Sequence, residues 1–371
     1  MDNSTPATVI IEETQAPWQT NYQPFGCPSC RRVFLVPSDF MDTTCPLCRN
    51  AKLSPQPARL TMNEPEKLLL FQIRKTELYE IFNEFVSVVW LKPEDFSAEI
   101  LLNRARPVFW SMWLVDSDVD GHWQMEAGFD YQVQSSKEVY SGDQWQSRKE
   151  TENRIRWEPR LGTAAIHVDN IRVPALEEHH NRQQMTGPYP LDRARTFNPQ
   201  QLEGACLEVP NLTPREAWRL ARPLVQRELG KICTSASGAG HQRDFAIKAD
   251  FRNLHWTQFL LPMYTTHYLD DEGQPQIIIV NGRTGSIHGP RLASRKRGLR
   301  IAGILAGVAG GILLFALIGL LLAMVFPPTG LIGAFLGVLG LGVGIAAIIP
   351  AVWPGQWNRR QREPRIFTRN S

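Results

Sequence analysis

Residues 301–326 read IAGILAGVAGGILLFALIGLLLAMVF and residues 331–353 read LIGAFLGVLGLGVGIAAIIPAVW, with only Pro327-Pro328-Thr329-Gly330 between them. Neither run contains a charged residue. Each exceeds the roughly 20 apolar residues that a helix needs to cross a bilayer core. Four intervening residues allow one arrangement, a hairpin of two transmembrane helices that enters and returns on the same side. Arg291, Arg295, Lys296, Arg297 and Arg300 precede the pair, and Arg359, Arg360, Arg362, Arg365 and Arg369 follow it. The turn carries no charge, so the excess of cations on both flanks predicts that both flanks face the cytoplasm. The expectation is an integral, multi-pass protein of the inner (plasma) membrane with cytoplasmic N- and C-termini. Arg291, Arg295, Lys296, Arg297, Arg300, Arg359, Arg360, Arg362 and Arg365 are expected to contact anionic lipid.

The charge is unevenly placed. The chain has 371 residues and a formal net charge of +3. From residue 291 onward ten Lys/Arg face one acid, Glu363, which leaves 30 basic against 36 acidic residues in the rest. A mildly acidic body argues against a surface that grips nucleic acid along its length. Met1 to Gln15 is polar and includes Glu12 and Glu13, so no signal peptide is read there. In a reducing cytoplasm the six cysteines are not expected to form disulfides.

Cys27-Pro-Ser-Cys30 and Cys45-Pro-Leu-Cys48 are two C-x-x-C knuckles at the spacing of a zinc ribbon. Each knuckle turns two thiolates toward one point, and two knuckles complete a tetrahedral four-thiolate site for Zn²⁺. Such a site is closed, hence structural, and a segment this short depends on metal for its folding energy. Arg31 and Arg49 stand where many ribbons carry glycine. Cys206 and Cys233 are isolated and read as small buried residues.

The pattern divides the chain into a flexible N-terminus (1–26), the ribbon (27–50), a Pro-containing linker (51–66), a cytoplasmic α+β domain (67–290), a basic juxtamembrane segment (291–300), transmembrane helices (301–326 and 331–353) and a basic tail (354–371). Within 67–290, Leu68 to Ile73 reads as a strand. Leu78, Ile81, Phe82, Phe85 and Val89 form one face of a helix that Pro93 stops. From Pro107 to Ala175 short strands are expected, turning at Gly121-His122, Gly128 and Ser141-Gly142. Thr213-Pro-Arg-Glu216 is a capping box that opens a helix to about Gly230, kinked at Pro223. Strands over 244–251, 256–268, 276–280 and 286–287 follow, with hairpin turns at Asp270 to Gly273 and Asn281-Gly282. The expected fold is α+β: a zinc ribbon, a mainly antiparallel β domain with a few helices, and a C-terminal two-helix hairpin. Gly303, Gly307 and Gly311, Gly333 with Gly337, and Gly340 with Gly344 recur at four-residue steps. Such faces pack the hairpin on itself or build a homo-oligomer.

No catalytic constellation is read: G-x-S-x-G, Walker, H-E-x-x-H and dinucleotide fingerprints are all missing from the sequence. His179-His180 beside Glu177 and Glu178 reads as a solvated loop rather than a metal patch. Asp116, Asp118 and Asp120 share one face of a strand and read as a charged sheet rim rather than a calcium site. Trp353 and Trp357 fit an aromatic belt at the membrane interface.

The chain resembles a bacterial group of membrane-anchored zinc-ribbon proteins, often labelled TFIIB-type zinc-ribbon or PriA-like membrane proteins. The resemblance rests on the four cysteines, Pro107-Val-Phe-Trp110-Ser-Met-Trp113, Glu126-Ala-Gly128, Arg156-Trp157-Glu-Pro159 with Gly162, and Val173-Pro174-Ala175. It continues through Phe197-Asn-Pro199 with Leu202 and Gly204, Leu261-Pro262-Met-Tyr264, Val280-Asn-Gly282-Arg-Thr284-Gly285 and the C-terminal hydrophobic pair. It covers roughly residues 27 to 353. It implies association with membrane-stress scaffolds such as PspA-like and SPFH-domain proteins, and no reaction. The helicase label does not suit a chain without a Walker sequence.

Two readings follow. The first is a non-enzymatic adaptor or scaffold that brings cytoplasmic protein partners to the inner face of the membrane. The second is a membrane-tethered nucleic-acid binder that uses Arg31, Arg32, Arg49 and Lys52 of the ribbon. The acidic balance of the body favours the first.

Overall fold

The computed structural model describes residues 21–38, 44–56, 64–141, 144–202 and 204–362. In chain order these form β1 (Tyr22–Gly26), β2 (Val33–Pro37), β3 (Ser54–Pro55), β4 (Lys67–Leu68), α1 (Lys75–Ser87), α2 (Ala98–Asn103), β5 (Arg106–Ser141), β6 (Gln144–Pro174), α3 (His179–Thr186), β7 (Arg195–Thr196) and β8 (Cys206–Glu208). Then come α4 (Pro214–Ala236), β9 (His241–Leu269), β10 (Pro275–Asn281), β11 (Ile287–His288), α5 (Arg295–Leu322), α6 (Pro328–Ala346) and α7 (Ile348–Arg362).

One large sheet organises the body, in the order β11-β10-β9-β5-β8-β2-β1-β3, with β6 on β5, β4 on β9 and β7 on β4. The expectation of a mainly antiparallel domain gives way to a mixed sheet. β8 runs parallel to β5 and β4 runs parallel to β9, whereas β5 is antiparallel to both β6 and β9. β8 reaches β5 only after the excursion of residues 175–205 through α3, and a crossover of that length can return a strand in the same direction.

The expected meander of short strands is three long ones instead. β5 pairs continuously with β6 from Met112↔Pro174 to Ser141↔Gln144, and with β9 from Arg106↔Thr265 to Gly128↔His241. At ~3.3 Å per residue, its 36 residues run ~120 Å along the strand. Beyond Gly128, β5 and β6 continue as a two-stranded ribbon.

Gly121 and Gly128, read as turns, lie inside β5, and Gly142 lies outside the described residues; a Cβ on Gly121 would meet the main chain of Lys248 and Ala249 on β9. A Cβ on Gly162 would lie 3.0 Å from the indole of Trp123 opposite, and one on Gly128 would lie 3.0 Å from Trp157. The strands absorb their irregularities as bulges. Register shifts fall opposite Asn170, Asn253 and Asp244, which have positive φ of 53°, 53° and 54°. Asn and Asp tolerate that region better than other non-glycine residues, so the ladder bends without breaking.

From Val108 to Val115 every residue of β5 is buried. Val108, Trp110, Met112 and Leu114 face one core, and Trp113 and Val115 face another beneath α4. α4 opens on the expected capping box, with Glu216 N–H donating to Thr213 Oγ1 at 3.4 Å and Thr213 N–H donating to Glu216 Oε2 at 2.9 Å. It runs past Gly230 to Ala236 with Pro223 inside it. Leu68 to Ile73, expected as a strand, pairs only through Lys67 and Leu68.

At the C-terminal end two helical stretches, 295–322 and 328–361, are long and apolar enough to cross a membrane. Their apolar side chains face outward: Leu314, Phe315, Leu331, Phe335 and Val338 are all exposed. The helices meet through small residues. A Cβ on Gly333 would fall 2.8 Å from Leu320 N and 2.9 Å from Ala316 O, so the backbones approach closely there. Cβ atoms at Gly303, Gly307 and Gly311 would meet nothing within 4 Å. Glycines of one motif class are therefore split between the hairpin seam and an open face.

Candidate metal centre and its surroundings

Each knuckle forms because its fifth residue turns back. Arg31 N–H donates to Cys27 O at 2.9 Å and Arg49 N–H donates to Cys45 O at 3.2 Å. Both arginines adopt φ of 57°, the left-handed conformation that glycine takes at lowest cost. Arginine thus takes, at both knuckles, the conformation that glycine would take at less cost. β1 and β2 pair from Tyr22↔Pro37 to Gly26↔Val33, which sets the first knuckle at the end of a hairpin. Cys45 N–H donates to Ala51 O at 3.0 Å and closes the second.

Cys27, Cys30, Cys45 and Cys48 converge with all four Sγ atoms within 4.8 Å of one another. Cys27 Sγ lies 3.6 Å from Cys48 Sγ, and Cys30 Sγ lies 3.7 Å from Cys45 Sγ. A tetrahedral ion with metal–sulfur bonds of ~2.3 Å spaces its sulfurs by ~3.8 Å. The donor set therefore fits a metal ion and is compatible with a zinc ribbon. Its electrostatics point the same way. The hydrogen bond from Cys30, with backbone N–H groups of Cys48 and Leu47, lowers the Cys45 thiol to about 5, against the desolvation of the site. The same bond to Cys45, with burial, raises Cys30, and burial raises Cys48. Four crowded thiols can all be thiolates only with a cation between them.

The centre is built into the main sheet. Cys27 and Cys45 pack in one apolar cluster with Phe34, Leu53, Trp110 and Ile279, and β2 pairs with β8. The segment read as a linker from residue 51 supplies Leu53 to that cluster and β3 to β1.

Beside the thiols lies a buried ion network that the sequence did not reveal. Glu208 is fully buried on β8, and its Oε1 accepts from Arg32 Nη1 at 2.8 Å and from Arg182 Nη2 at 3.3 Å. Its Oε2 lies 3.2 Å from Arg182 Nη1, at ion-pair distance but without hydrogen-bond alignment. Arg32 also pairs with Glu178. A cavity of about 400 Å³ opens next to this network, lined by Cys30, Cys48, Arg32, Arg182, Met185 and Ile279 among others. Of the basic residues read as a nucleic-acid patch, Arg31 and Lys52 are exposed, Arg49 Nη2 donates to Arg104 O at 3.5 Å, and Arg32 is buried.

The other candidates resolve differently. His179 and His180 begin α3 and are not in a solvated loop. His179 packs on Trp110 with ring centroids 5.2 Å apart, and burial pushes its pKa down to about 4. Asp118 accepts from Asn253 Nδ2 at 2.7 Å and pairs with His167 at 2.5 Å, Asp120 pairs with Arg252, and Asp116 accepts from Asn170 N–H at 2.6 Å. The charged rim is a row of cross-strand pairs. Cys206 and Cys233 are buried, as expected.

The basic residues before the first apolar helix are used in part by the protein itself. Arg291 stacks over Phe85 at 4.3 Å, Arg297 Nη1 donates to Lys92 O at 3.1 Å, and Lys296 N–H donates to Asp271 Oδ2 at 3.0 Å. Arg295, Arg300, Arg359 and Arg360 are exposed. Arg362 ends α7, and Arg365 lies outside the described residues.

No family model, curated protein or solved structure matches this chain.

Proposed function

We propose that this protein is a membrane-anchored zinc-ribbon adaptor that recruits cytoplasmic protein partners to the inner face of the membrane. The observation that carries the reading is the joint between the folded body and the apolar hairpin. Trp357 Nε1 donates to Arg291 O at 2.5 Å, and Asn358 bonds both main-chain groups of Ala293. A body held so firmly against two membrane-length helices is suited to presenting a surface at a fixed place. The cations on both flanks of the hairpin support a cytoplasmic placement of the body and of both flanks. Four thiolates at this spacing suit a tetrahedral zinc ion, and a closed site of that kind would hold structure rather than do chemistry. The open face of Gly303, Gly307 and Gly311 suits a homo-oligomeric contact. The resemblance to membrane-anchored zinc-ribbon proteins, some of which are associated with membrane-stress scaffolds, suggests the setting in which such an adaptor works. The alternative, a membrane-tethered nucleic-acid binder, is weakened by the burial of Arg32 between Glu208 and Glu178.

A crosslinked pull-down of the full-length protein from native membranes tests this, with co-purifying protein and nucleic acid both quantified. A stoichiometric protein partner that is lost on Cys27→Ser supports the adaptor. Nucleic acid without a protein partner, released steeply by salt, reverses the ranking.

A further inference from the structure

We infer that the corner ending α1, carried by Val88 and Trp90, rests in the headgroup layer of the bilayer, so that the folded body touches the lipid surface as well as being tethered to it. This rests on reading α5 and the α6–α7 pair as membrane-spanning.

Depth is fixed by aromatic contacts. Trp353 closes the second apolar run, and tryptophans at the ends of spanning helices sit at headgroup level. The Trp353 ring stacks on Trp357 with centroids 5.2 Å apart, and Trp90 meets Trp353 edge-on at 5.5 Å. Trp90 belongs to the soluble body in sequence and to the aromatic belt in space. The main chain agrees. Ser294 N–H donates to Leu91 O at 2.6 Å, and Arg297 Nη1 reaches Lys92 O. Residues 91–92 are thereby laid against the first turn of α5, level with Arg295 to Arg300.

The corner is apolar where water would otherwise meet it. Val88 is 49% exposed, Trp90 57% and Leu299 62%. Arg295, Arg300, Arg359 and Arg360 stand exposed on the adjoining helix ends. Of the acids nearby, Asp271 accepts from Lys296 and Glu94 lies 3.6 Å from Arg297, while Glu84, one turn before Val88, is exposed and adds one negative charge to a rim of four exposed arginines. An apolar ridge rimmed by free cations complements an anionic headgroup layer with acyl carbon just beneath it. The joint has no slack, because Asn358 and Trp357 pin residues 291–293. The corner cannot lift away while the helices stay inserted.

The test uses the full-length protein in vesicles of phosphatidylglycerol and phosphatidylethanolamine. One set carries a phospholipid with a diazirine near the glycerol, and another carries it mid-chain. After irradiation, adducts are mapped by mass spectrometry. The expected result is mid-chain labelling of α5 and α6 together with glycerol-level labelling of Val88 to Trp90, several-fold above Leu220 of α4, which is 48% exposed. If α5 and α6 are labelled but Val88 to Trp90 match Leu220, the corner faces water and the inference fails with the spanning helices intact. If α5 and α6 escape the mid-chain probe, the membrane reading itself fails and takes the inference with it.

Discussion

The side-chain amide of Asn358 is bonded to both main-chain groups of Ala293. Its Oδ1 accepts the Ala293 N–H at 2.7 Å and its Nδ2 donates to the Ala293 carbonyl at 2.9 Å. One side chain on the last helix thus completes the strap that leads from the sheet into the first apolar helix. Replacing Asn358 with Leu leaves two polar groups of a buried residue unpaired, at a cost of about 1–3 kcal/mol. The expected outcome is faster amide exchange over Leu292 to Ser294 in vesicle-bound protein, with the exchange of β5 and β9 unchanged. Unaltered exchange at the strap would show that the pair is dispensable.

Among the described residues, Glu208 is the only carboxylate paired with both Arg32 and Arg182. Glu208→Ala leaves two buried guanidinium groups short of a counter-charge, and losses of this kind run to about 3–5 kcal/mol. Denaturant unfolding of the metal-loaded protein should show a drop of that order. Glu178→Ala, at the exposed end of the network, should cost far less.

Arg31 offers a stability gain. Its φ of 57° is a conformation that costs a non-glycine residue about 1–2 kcal/mol. Arg31→Gly should raise the unfolding midpoint of the metal-loaded protein by an amount equivalent to about 1 kcal/mol, less the entropy that glycine adds to the unfolded chain. Arg31→Val, β-branched in the same conformation, should lower it.

Metal removal should have a defined footprint. A strong chelator is expected to release one equivalent of zinc and to expose β1, β2 and the two knuckles to exchange, because the thiols lose the charge that lets them crowd together. β8 should loosen next through its pairing with β2. Exchange in β9 and β10 should hold. A chelated protein with unchanged protection over residues 27–48 would count against a structural metal.

His167 sits between two acids and reports on the strand face. The hydrogen bond to Asp118, with Asp169 beside it, raises its pKa above the ordinary value. Its stabilising pairing is complete at low pH and is lost as pH rises through that raised pKa. A titration of its ring resonances should place the midpoint above that of a free histidine, and Asp118→Asn should bring it down. A midpoint at or below the free value would contradict the pairing.

The sequence carried some features openly and concealed others for physical reasons. The two apolar runs and the two C-x-x-C knuckles are local patterns, and the helices and the four-thiol cluster stand where the spacing put them. The long strands were obscured by Gly121 and Gly128. Glycine marks a turn when its conformation is needed and marks a crossing when its small size is needed. Ala249 opposite Gly121 and Trp157 opposite Gly128, which make these positions crossings, lie on other strands. The sense of the sheet was hidden likewise, since the parallel placing of β8 depends on a crossover of some thirty residues. Arg32 read as a surface cation because Glu208, its buried partner, is 176 residues away. Trp90 carried no local signal, because the ring it meets, Trp353, lies near the other end of the chain.

The three long strands and the pinned strap together make the protein a lever. Hydrogen bonds from Trp357 and Asn358 tie residues 291–293 to α7, so a tilt of the helices would be passed toward the sheet. For an arm of ~100 Å at ~3.3 Å per strand residue, a tilt of ten degrees at the base carries the far end roughly 17 Å sideways. On the proposed reading of α5 and α6 as spanning helices, a change in bilayer thickness that tilts them would displace the far part of the β5–β6 ribbon by a distance of that order.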